Sequence, residues 1–134
     1  MKKGVKPPII LPYSKSLNIQ KLRNSIAQKE NNIHLKGLYG SAKSFVIEKL
    51  FKENIHNILW ILESKENASY HYNDIESLIS SNELYFLPSS YSRENNFKNT
   101  NSQNIFRRTE FIRNYNLSKN LTITYPEALF EKII

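Results

Sequence analysis

Along this chain the spacing of apolar residues switches repeatedly between a helical and an extended period. Leu17, Leu22, Ile26 and Ala27 recur at helical spacing behind Ser16, a residue type that favours the N-cap. The pattern predicts a modestly amphipathic helix over 16–30, ended by Asn31 and Asn32. Over 33–36 Ile and Leu alternate with His and Lys, which predicts a short strand with one face less covered than a central strand, closed by Gly37. Phe45, Val46, Leu50 and Phe51 return to helical spacing over 41–53. Residues 58–62 form an unbroken apolar run, the signature of a strand covered on both faces.

The alternation continues to the last residue. Ala68, Tyr72, Ile75 and Leu78 or Ile79 line one side of a helix predicted over 66–80, and 84–87 reads as a strand before Pro88. A polar connection dense in Ser, Asn and Lys occupies 89–104, longer than most loops. A helix over 104–115 and a strand over 121–125 follow, and Pro126 opens a final helix running through 134. Pro7, Pro8 and Pro12 make residues 1–15 an extended leader. The expected fold class is therefore α/β: a three-layer domain over 16–134 with a mostly parallel sheet flanked by helices. Because the last helix is still running at Ile134, the chain reads as truncated at its C-terminus, the opening part of a larger protein.

Composition narrows the classes. The 134 residues are 40% hydrophobic and 12% aromatic, more than a disordered chain of this charge carries, so a core is expected. Cysteine is absent, which removes disulfides, thiolate metal sites and cysteine nucleophiles. The apolar stretch Ile9, Ile10, Leu11 is cut by Pro12 and is too short for a signal peptide, so the expected location is cytoplasmic, with no membrane partner. The net charge of +7 favours anionic partners. Against that, the chain has the Lys, Asn and Ile bias of an AT-rich genome, and its basic residues are scattered, densest at Lys2, Lys3, Lys6, Lys15, Lys21 and Arg23. A basic nucleic-acid-binding module built on the leader lysines and the loop after Ser89 stands as an alternative reading.

The sharpest local signal lies between the strand expected at 33–36 and the helix after it. Gly37-Leu38-Tyr39-Gly40-Ser41-Ala42-Lys43-Ser44 nearly matches G-x-x-x-x-G-K-[ST], in which backbone N–H groups wrap phosphates, the Lys meets the terminal phosphates and the hydroxyl holds magnesium. Gly37, Lys43 and Ser44 match, but Ala42 replaces the glycine that lets phosphate approach the backbone. The loop therefore reads either as a turn whose glycines let a strand enter a helix, with Lys43 exposed on the first turn, or as a degenerate nucleotide or phosphate loop formed by Gly37, Gly40, Ser41, Ala42, Lys43 and Ser44. Glu63, after the 58–62 run, is the one candidate for a metal-holding acid at a strand end. Arg107 and Arg108, with Arg113, are candidate anion contacts, or else pair with an acid such as Glu110 or lay their stems over apolar surface. His34, His56 and His71 have no metal-like spacing, and no nucleophile elbow or carboxylate pair occurs, so no catalytic or metal residue is assigned.

Four stretches carry a resemblance. They are Leu35 to Phe45 with the loop above; Ala68 with Tyr70-His71-Tyr72-Asn73-Asp74-Ile75-Glu76; Phe86-Leu87-Pro88-Ser89-Ser90-Tyr91; and Arg108-Thr109-Glu110 followed by Thr122 to Lys132. In order and spacing they resemble the N-terminal region of the bacterial transcription-repair coupling factors (Mfd), in the form found in Bacteroidetes. The 125–132 stretch is the most specific.

That resemblance implies a fold similar to domain 1a of the excision-nuclease subunit UvrB, a helicase ATPase half whose loop has decayed and does not hydrolyse ATP. It implies a parent protein that is an ATP- and magnesium-dependent DNA translocase displacing stalled RNA polymerase and recruiting UvrA, with double-stranded DNA as its track. This segment would need no cofactor itself, and its partners would be the rest of the same chain and UvrA. Retained Lys43 and Ser44 leave weak nucleotide binding open, and a small P-loop nucleotide-binding protein is the alternative.

Overall fold

The computed structural model describes residues 16–29, 32–53, 56–91 and 101–132. The expected leader over 1–15 and part of the polar loop, 92–100, lie outside the described residues. The chain divides into two compact units, Met1–Glu53 and Asn54–Ile134.

The first unit contains two helices, α1 (Leu17–Ala27) and α2 (Ala42–Glu53). Ser16 caps α1 as its sequence predicts, with Oγ accepting from the Asn18 N–H at 3.3 Å. Helix α1 buries Ile19 and Leu22, and α2 buries Val46, Leu50 and Phe51. Arg23 of α1 reaches Glu53 of α2 at 2.8 Å, and Lys49 meets the same carboxylate at 2.7 Å.

The strand expected over 33–36 does not form. Residues 32–36 have no regular secondary structure and are all exposed, Ile33 at 38% and Leu35 at 44%. The physical reason is that a strand exists only by hydrogen bonding to another, and the described residues of this unit contain none. Alternation over four residues is too short to make an extended segment distinguishable from a solvated one.

The second unit is α/β. Strands β1 (Ile58–Ile61), β2 (Leu84–Leu87) and β3 (Leu121–Thr124) form one parallel sheet in the order β1-β3-β2. Ile58 and Leu84 both lie level with Leu121, and Ile61 and Leu87 both with Thr124. Helices α3 (Lys65–Glu76) and α4 (Ser102–Asn114) connect the strands, as parallel neighbours require, and α5 (Pro126–Phe130) follows β3.

Register fixes which side chains share a face. Trp60, Ile123 and Phe86 are level and point one way, where His71 of α3 lies 4.7 Å from the Trp60 ring and Tyr72 lies 5.4 Å from Phe86. Tyr85 points the other way and meets Phe111 of α4 at 5.9 Å. Helices thus lie on opposite faces, and every residue of the central strand β3 is buried, whereas β1 sits at the edge with Leu59 and Ile61 about half exposed, so the coverage on both faces expected from the 58–62 run does not hold.

Two threonines and an asparagine in that buried strand region keep their polar atoms satisfied. Thr124 Oγ1 donates to the Leu87 carbonyl at 2.9 Å, Thr122 Oγ1 to Asn120 Oδ1 at 3.2 Å, and Asn120 Nδ2 to the Tyr115 carbonyl at 2.7 Å. The helix predicted through 134 is shorter, because α5 ends at Phe130. No helix among the described residues is long and apolar enough to cross a membrane.

Candidate functional site

The glycine-rich loop of the first unit is a turn feeding α2. Gly37 and Gly40 both take positive φ, +79° and +51°, a region where glycine is the unstrained choice. At the helix start the Ala42 N–H donates to the Tyr39 carbonyl at 3.1 Å, and the Lys43 N–H to the Gly40 carbonyl at 3.3 Å. Two of the backbone donors that a phosphate cradle would turn toward its ligand are therefore engaged within the turn. Lys43 is exposed, Ser41 and Ala42 are half-buried, and Ser44 is buried at 1%. The loop does not leave a sheet strand, since no strand precedes it among the described residues.

At the carboxyl end of the second unit's sheet one sequence-predicted residue, Arg108, stands at the centre of a polar cluster. Its side chain comes from α4, which starts behind Asn101, whose Oδ1 accepts from the Gln103 and Asn104 N–H groups at 3.0 and 3.2 Å. Buried to 6% exposure, the guanidinium donates to the Pro88 carbonyl at 2.9 Å, the Ala128 carbonyl at 3.0 Å and the Glu131 carbonyl at 3.3 Å. Its Nε also lies 3.4 Å from Glu131 Oε1. The other Glu131 oxygen accepts from Ser89 Oγ at 3.0 Å and from the Ser90 N–H at 2.8 Å. Above them the Tyr125 hydroxyl accepts from the Ser89 N–H at 2.8 Å, and Asn104 Nδ2 donates to the Ser89 carbonyl at 2.8 Å.

This arrangement sets the electrostatics. Burial alone would push the Glu131 carboxyl up, but hydrogen bonds from Ser90 and Ser89 and the nearby Arg108 charge outweigh it and hold the group below its ordinary value. The Tyr125 hydroxyl is pushed up by burial, which the hydrogen bond from Ser89 only partly offsets. A low-pKa carboxylate already holding an arginine and two serine donors is a structural acceptor, unsuited to general acid work at neutral pH.

The remaining candidates are dispersed. Arg107 lies over the Phe86 ring at 5.7 Å, and Arg113 is exposed. Glu63 is exposed and accepts from Asn67 Nδ2 at the start of α3, where Ser64 Oγ caps the Asn67 N–H at 3.2 Å. His34 and His56 are exposed while His71 is buried beside Trp60, and among the described residues no three His, Cys, Asp or Glu are grouped to hold a metal.

Sequence reasoning missed Glu131 and Tyr125 as the partners closing the sheet end. The available signal was chemical: an arginine on a helix between two buried strands needs an acid, and the nearby choice, Glu110, is exposed. No family model, curated protein or solved structure matches the chain.

Proposed function

We propose that this chain is a non-catalytic scaffold segment of a transcription-repair coupling factor. On this reading its parent is an ATP-dependent translocase on double-stranded DNA that displaces stalled RNA polymerase and recruits UvrA, and the segment supports UvrA recruitment and restrains the motor. The architecture proposed is that of a helicase half like the first domain of UvrB, with a decayed phosphate loop. The observation that carries the reading is the closure of the sheet's carboxyl end by Arg108 and Glu131. In open parallel α/β sheets ligands bind outside the carboxyl ends of the strands, and here that place is filled by the chain's own side chains.

Supporting it, two of the four stretches on which the resemblance rests, 86–91 and 108–110 with 122–132, supply the side chains that meet there. In the glycine-rich loop, the Ala42 and Lys43 N–H groups bonded within the turn favour a decayed cradle. The alternative is a small P-loop nucleotide-binding protein using Lys43 and Ser44, favoured by Lys43 being exposed at the start of α2.

Calorimetric titration with ATP and magnesium separates the two, and the scaffold reading expects no binding heat. Micromolar affinity that disappears in Lys43→Ala would overturn it in favour of the alternative. The partner assignment is tested by mixing the chain with purified UvrA and with RNA polymerase on a sizing column. Co-elution with UvrA is expected, and its absence removes the recruitment role.

A further inference from the structure

The charge of the chain is unevenly divided. Residues 1–53 hold eleven Lys and Arg against three Glu, a net +8, whereas residues 54–134 hold eight against nine, a net −1. Both described acids of the first unit are already engaged, Glu53 by Arg23 and Lys49, and Glu48 by Lys52. The excess positive charge is thus not neutralised locally.

Part of it borders a groove. Within the first unit α1, the segment 33–38 and Val46 of α2 enclose an open groove of about 340 Å³. Its floor is apolar, made by the buried Ile19, Leu22 and Val46, and its rim carries the exposed Lys21, His34 and Lys36. No acid lines it, and its one aromatic ring is the His34 imidazole.

We propose that this groove docks an acidic amphipathic peptide segment of a partner protein, with apolar side chains on the Ile19–Leu22–Val46 floor and carboxylates against Lys21 and Lys36. A nucleic acid would exploit the two lysines but leave the apolar floor uncovered, because stacking successive bases needs several aromatic platforms and the groove offers the His34 imidazole alone. The chain's own apolar Ile9, Ile10 and Leu11 are a poor occupant. They belong to a segment, 1–15, with four lysines and no acid, which meets a basic rim with like charge. The inference stands without the coupling-factor reading, since it uses only charge and shape.

The test is fluorescence anisotropy of the whole chain with a fluorescein-labelled peptide of about a dozen residues, Leu along one helical side and Glu along the other. A matched peptide with Lys in place of Glu is the control. The Glu peptide is expected to bind with a dissociation constant on the order of tens of micromolar, and the Lys peptide about tenfold more weakly or worse. Lys21→Glu with Lys36→Glu should weaken the Glu peptide by about tenfold, with the helical circular dichroism unchanged because both side chains are exposed. Ser25→Trp, which fills the groove without altering charge, should weaken it as well.

Equal affinity for the two peptides, no binding, or binding indifferent to both variants overturns the proposal. So does binding that emerges only with Ile10→Glu, which would give the groove to the leader. An oligothymidylate that binds in place of the Glu peptide and is lost in the double lysine variant would give it to nucleic acid.

Discussion

Arg108 and Glu131 meet at 3.4 Å across the carboxyl end of the sheet, one from α4 and the other from just beyond α5. Neither charge is left bare. Arg108 satisfies three backbone carbonyls besides, and Glu131 accepts from Ser89 and Ser90, so the pair ties together the chain after β2, helix α4 and the chain after β3. A buried ion pair adds little net stability over an apolar substitute, but removing one partner strands the other in a poorly solvated place.

Arg108→Ala is therefore expected to destabilise the second unit by about 3 kcal/mol, near the low end for a broken buried pair because the serines still hold Glu131. In a Glu131→Gln background the same change should cost about 1–2 kcal/mol less. Urea unfolding followed by Trp60 fluorescence reads both, since Trp60 is the single tryptophan and lies in this unit. Equal costs in the two backgrounds would mean that the pair is not coupled.

Acid sensitivity follows from the depressed Glu131 carboxyl. Its folded value lies below the ordinary 4.5, so the unfolded chain takes up the proton first as pH falls. The stabilisation is complete above about pH 4.5 and is lost as pH drops through the folded value. Unfolding free energies measured between neutral pH and about pH 3 should fall more steeply for the native chain than for Glu131→Gln. Parallel slopes would remove Glu131 from the acid response.

Legibility in the sequence followed the range of the interactions. The strands at 58–61, 84–87 and 121–124 were readable because each is a run of apolar or β-branched residues, largely buried in the last two and half exposed in the first, and Ser16 announced its helix through a local capping bond. Strand order and register were not, because no residue of β1 states that it pairs with β3 rather than β2. Residues 33–36 misled because Ile33 and Leu35 alternate with polar residues whether or not a neighbouring strand exists. The closed sheet end was half readable: Arg108 was singled out as an anion contact, but its anion is Glu131, 23 residues away.

The glycine-rich loop offers a backbone test. Added Cβ atoms at Gly37 and Gly40 would meet nothing within 4 Å, so alanine there is opposed by the positive φ alone. Gly37→Ala and Gly40→Ala should each cost about 1 kcal/mol, seen as a lower melting temperature by circular dichroism. Ala42→Gly, which restores the phosphate-loop glycine, should not create ATP affinity while the Ala42 and Lys43 N–H groups remain bonded within the turn. Titration of that variant with ATP and magnesium is expected to be silent, and micromolar binding would show that the methyl group alone had blocked the site.

The central strand should carry far more of the second unit's stability than its flank. Ile123 is fully buried between Trp60 and Phe86, so Ile123→Ala removes methylene groups from a site closed on both sides and leaves a cavity. A loss of about 2–5 kcal/mol is expected, read as a lower urea midpoint by Trp60 fluorescence. Leu59 lies on β1, which pairs with β3 alone among the described strands, and its side chain is 53% exposed. Leu59→Ser should therefore change the midpoint by an amount equivalent to about 0.5 kcal/mol or less. A large loss at Leu59 would mean that something covers that half of the sheet in solution, and a small loss at Ile123 would contradict the buried centre of the sheet.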